Sequence, residues 1–61
     1  MKNDILKRIL NTYELSAALR HYIRAVLSRP VPVDNVNFRH ILVRVSGESG
    51  VAIAELYSED V

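Results

Sequence analysis

Between residues 11 and 29, apolar side chains recur at three- and four-residue steps: Leu15, Leu19, Tyr22, Ile23, Val26 and Leu27. That spacing predicts one long helix with a buried stripe on one side. Asn11 supplies a favourable N-cap, and Glu14 stands three residues on, where its carboxylate can reach back to the cap N–H. Leu10 and Leu15 take the two positions of a hydrophobic staple. Pro30 disfavours helical geometry at Arg29 and has no N–H to donate, so the helix is expected to stop near Ser28.

Residues 3–10 carry a second stripe, made of Ile5, Leu6, Ile9 and Leu10. Asp4 and Arg8 stand four residues apart there, the spacing of a weak helical ion pair. At about 100° per residue, this stripe, extended to Tyr13, is rotated by roughly 110° from the later one. A straight helix would therefore need two different partners. A break at Asn11, giving a short helix and a long helix, turns both stripes toward one core and is the preferred reading. The alternative is one continuous helix whose first half contacts a second subunit.

Residues 30–34, with two prolines, read as an extended linker. Val36 and Phe38 then alternate with Asn35, Asn37 and Arg39, and Ile41, Val43 and Val45 alternate with Leu42 and Arg44. Period-two alternation predicts a strand. Its apolar side changes phase between Phe38 and Ile41, which a bulge near Arg39 and His40 or burial of both faces would explain. Residues 46–50 supply a turn with two glycines available for positive φ. A return strand is expected over 51–57, although Ala52, Ala54 and Glu55 leave a short helix open there. Residues 58–61 are polar and expected to fray. The predicted class is α+β: an N-terminal helix, or two, followed by a β-hairpin.

Composition turns this pattern toward self-association. The chain has 61 residues, read as a single small domain over 1–61; 49% are hydrophobic and none is cysteine. Disulfides and thiolate metal sites are therefore ruled out. A short, apolar, unstapled chain with a lone hairpin is expected to form a homodimer. Edge-to-edge pairing would then give a four-stranded sheet covered by two helices. Asp4, Lys7 and Arg8 break any secretory-signal core, and the apolar runs are too short to span a membrane. The absence of cysteine fits a cytoplasmic location.

Net charge is +1, but it is unevenly spread. Residues 1–29 hold six Lys/Arg against two acids, a net +4; residues 30–61 hold two arginines against five acids, a net −3. The simpler reading is that the halves attract each other, within or between subunits. Arg20 and Arg24 break a local rule, because like charges four apart repel, and Arg29 extends the patch. Either Glu55, Glu59 or Asp60 neutralises them, or they contact an acidic protein or a nucleic acid. Arg39 and Arg44 join them as candidate partner-binding residues. Leu15, Leu19, Tyr22, Ile23 and Val26 are the candidate core or dimer residues.

Candidate chemistry is thin. His21 and His40 lack a third ligand, and Arg20 and Arg24 flank His21 with repelling charge. Residues 47–50 have neither the Gly-x-Ser-x-Gly spacing of a nucleophile elbow nor the lysine of a phosphate loop. No catalytic, metal or cofactor-binding residue is assigned. The helix interior lacks the Asn and Gln that read bases, so sequence-specific major-groove recognition is weakly supported. The chain is read as a non-catalytic binding protein, foremost a regulator or inhibitor of a protein target. Nucleic-acid binding through Arg20, Arg24 and Arg29 is the alternative, and a structural subunit of a larger assembly the second.

Overall fold

Ser16, and not Asn11, starts the second helix, and that shift sets the geometry of the N-terminal half. The computed structural model describes residues 1–57. Its elements are α1 (Lys2–Thr12), α2 (Ala17–Leu27), α3 (Asn35–Ser49) and α4 (Ile53–Tyr57). Helix α1 runs through Asn11 and ends at Tyr13, which is extended at φ −111° and ψ 148°. Arg8 does not pair with Asp4; it reaches 48 residues along the chain to the Leu56 carbonyl. The Ser16 hydroxyl accepts the Leu19 N–H at 3.2 Å and caps α2. Glu14, expected to complete a capping box, is exposed between the helices. The intervening bend turns both stripes inward: Ile5, Leu6 and Ile9 from α1, and Leu19, Ile23 and Val26 from α2. Leu15 and Tyr22 pack half-buried against the same cluster.

The expected β-hairpin does not form. No strand occurs among the described residues, so the α+β class is corrected to an all-helical fold. The residues that alternate as a strand also satisfy a helix. Phe38, Ile41, Leu42 and Val45 follow one another at helical steps, and all four are buried on one side of α3. The phase change between Phe38 and Ile41 is thus a helical three-residue step, not a bulge. Asp34 decides the contest locally. Its carboxylate accepts the Asn37 backbone N–H at 2.8 Å and the Asn37 amide at 2.9 Å, capping the helix directly after the proline linker.

The turn expected at 46–50 shrinks to its last residue. Gly47 lies within α3, whereas Gly50 has φ +78° and closes the helix, its N–H donating to the Ser46 carbonyl at 2.9 Å. The return strand is the short helix α4, whose Leu56 is fully buried. Phe38 meets Tyr57 edge-on at 5.8 Å between ring centroids, joining α3 to α4. Val33 pins the linker to the same core. The four-stranded sheet expected of a dimer has no counterpart in this fold, and the frayed tail expected over 58–61 lies outside the described residues. Among the described residues, no helix is long and apolar enough to cross a membrane.

Candidate partner-binding face

The five candidate arginines divide by what they touch. Arg20 is half-buried, and its Nη1 lies 3.5 Å from the Leu10 carbonyl in the last turn of α1. Arg8 does the same more tightly for α4, its Nη2 donating to the Leu56 carbonyl at 2.8 Å. Cations at helix C-termini satisfy leftover carbonyls and the negative end of the dipole. Arg20 is thereby tied to the fold. Arg24, Arg29, Arg39 and Arg44 are exposed, and none forms a hydrogen bond or close ion pair with another described residue. Glu55 does not neutralise Arg20 or Arg24; the other expected partners, Glu59 and Asp60, lie outside the described residues.

Helix α3 presents its own pattern to solvent. Opposite the buried Phe38, Ile41, Leu42 and Val45 stand Val36, His40, Val43 and Gly47, spaced four, three and four residues apart. At about 100° per residue they form a narrow seam, with Arg39 along one border and Arg44 along the other. Val36 is 79% exposed and Val43 54%. Both are β-branched residues that a strand would have buried. The seam continues onto α2 at Tyr22, whose ring meets His40 edge-on at 6.4 Å and whose hydroxyl donates to Asn37 Oδ1 at 3.5 Å.

The described acids bordering this face are occupied. Glu48 accepts the Ser16 N–H at 2.7 Å and the Ser16 hydroxyl at 2.9 Å. The Ser16 backbone N–H, then its hydroxyl, hold the Glu48 carboxyl below its ordinary range, with Arg44 adding a smaller pull. Asp34 is held below the ordinary value chiefly by the Asn37 backbone N–H. From α2 through α3 the chain carries five arginines, no lysine and only these two acids. Arginine offers a planar fork that fits carboxylate and phosphate.

Sequence reasoning missed the seam because it placed Val36 and Val43 in a sheet. It also missed Ser16 with Glu48, a contact across 32 residues that leaves no local trace. Asp34 followed three residues later by Asn37 was the one available signal for the true helix start. Among the described residues, no three His, Cys, Asp or Glu side chains stand together as a metal site. The depression between Val26, Arg29, Val33 and Asn37 has a volume of about 70 Å³. Small-molecule sites run from roughly 300 Å³ upward. Comparison with known proteins finds no matching family model, no similar curated protein and no similar solved structure.

Proposed function

We propose that this chain is a non-catalytic binding protein, a small regulator or inhibitor that engages an acidic protein surface. The observation that carries the reading is the outer face of α3, where Arg39 and Arg44 border the exposed Val36 and Val43. Arginine is enriched at protein interfaces, whose centres are less polar than their rims. Arg24 and Arg29 extend the cationic surface onto α2 and the start of the linker. A cysteine-free chain whose described helices do not cross a membrane suits a cytoplasmic site of action.

Nucleic-acid binding is the second reading, favoured by the run of arginines without lysine. It is weakened by the valines at the centre of the face, which a phosphate backbone would leave uncovered. Self-association keeps the argument from an apolar, unstapled chain but loses the argument from open strand edges. Sedimentation equilibrium decides it: a 6.9 kDa species throughout the micromolar range would sink the dimer.

The main reading is tested by capture from nuclease-treated extract, using the wild-type chain and a variant with Arg24, Arg29, Arg39 and Arg44 all changed to Gln. Wild type should retain a protein target that the fourfold variant loses. Retention by both, or loss of the target on nuclease treatment, overturns the reading.

A further inference from the structure

The geometry points to an acidic amphipathic helix as the element of the target that docks on α3, lying side by side with it along the seam of Val36, His40, Val43 and Gly47. This inference rests on the reading of the chain as a protein-binding regulator. The seam steps by four, three and four residues, which is the spacing by which one helix presents a continuous edge to another. It covers twelve residues, eleven steps of 1.5 Å or about 16 Å, enough for three turns of a partner helix. Gly47 at its C-terminal end has nothing within 4 Å of where a Cβ would stand, so a partner backbone can approach closely.

The borders of the seam select the partner. In paired helices, the residues flanking the apolar seam meet their counterparts across the interface and set partner choice and orientation. Here the two charged flanking positions are Arg39 and Arg44, five residues apart. In a parallel pair of identical copies, that spacing sets Arg39 of one helix against Arg44 of the other. In an antiparallel pair, Arg39 faces Arg39 and Arg44 faces Arg44. Both arrangements of a second copy along this seam oppose arginine to arginine, which is repulsive. A helix with Glu or Asp at its flanking positions reverses the sign at every contact.

Among the described residues, the acids nearest the seam are held by other groups and form no close ion pair with Arg39 or Arg44. Asp34 is engaged at the start of α3 by Asn37, and Glu48 is engaged by Ser16. A phosphate backbone would meet the arginines but leave Val36 and Val43 in water. A carboxylate-flanked apolar stripe covers both.

The test titrates the full isotope-labelled chain with two synthetic helical peptides of about three heptads each. Both carry a Leu and Ile seam; one has Glu at every flanking position, the other Lys. The Glu peptide should shift the amides of residues 36–47 and bind at least about tenfold more tightly than the Lys peptide. The Arg39→Glu/Arg44→Glu variant should reverse that preference while its own spectrum keeps the dispersion of the wild type. Arg39→Gln/Arg44→Gln, in case the reversal disturbs the fold, should abolish the preference without creating the opposite one.

Equal binding of both peptides, or shifts confined to another face, would overturn the docking geometry. So would shifts at 36–47 caused by duplex DNA or by raising the concentration of the chain alone. Extract capture keeps this failure separate from failure of the broader reading. A target lost by the fourfold glutamine variant but retained by Arg39→Gln/Arg44→Gln would leave a binding protein whose site lies on α2 and the start of the linker.

Discussion

Ser16 and Glu48 build a capping box from two distant pieces of chain. In its usual form the acid sits three residues after the cap and reaches back to the cap N–H. That position is Leu19 here, a buried core residue, and Glu48 supplies the carboxylate from the end of α3. The box both caps α2 and clamps it to α3. Ser16→Ala should cost about 1 kcal/mol in chemical denaturation. The loss should be smaller when Glu48 is already alanine, because the two side chains act together. Strict additivity would show that the clamp is not energetically coupled. The pH dependence follows from the lowered Glu48 carboxyl. A carboxyl lowered in the folded state adds stability above its unfolded value and gives it up as pH falls through the folded one. Thermal melts between pH 7 and pH 2 should therefore show a shallower acid loss for Glu48→Gln than for wild type. Asp34 leaves a residual slope in both, since Asn37 lowers it in the same sense.

At the scale of elements, α3 explains what could and could not be read from the chain. Val36, Phe38, Ile41, Val43 and Val45 fit a two-residue period, while Phe38, Ile41, Leu42 and Val45 fit a helical one. Four β-branched residues among them tipped the balance toward a strand. Their preference is overridden because one helical side buries Phe38, Ile41, Leu42 and Val45 in the common core, where α3 packs on α2 and α4. The stripe of α2 had no rival period, so Leu19, Ile23 and Val26 were legible. The two patterns make opposite predictions for a pair of substitutions. On a strand, Ile41 and Val43 share a face and truncation of either would be costly. On α3, Ile41→Ala should cost about 2–5 kcal/mol, and Val43→Ala less than about 0.5 kcal/mol. Equal losses would favour the strand.

The glycines extend the same test. Gly47→Ala places a methyl in open space within a helix and should stabilise by roughly 0.5–1 kcal/mol. Gly50→Ala forces φ +78° on an L side chain and should destabilise by about 1–2 kcal/mol. Denaturation midpoints that move in the same direction would contradict the assigned end of α3.

For the whole molecule, closure comes from its shortest element. Five residues cannot hold a helix in water, since nucleation is costly and the gain per residue small. Helix α4 persists through three contacts. Leu56 is fully buried, Tyr57 packs edge-on against Phe38, and Arg8 binds the Leu56 carbonyl. Each joins α4 to a different part of the chain, which is why local sequence left strand and helix both open there. A chain of 61 residues has little stability in reserve. Removing one member of its single core should then be felt everywhere. Leu56→Ala is expected to cost about 2–5 kcal/mol and to lower the midpoints of all four helices together. Residue-resolved amide exchange checks this directly. If α4 amides lose protection while those of α1, α2 and α3 keep their wild-type values, α4 is an appendage and the core closes without it. Loss of protection in step across all four helices would establish α4 as part of one cooperative unit.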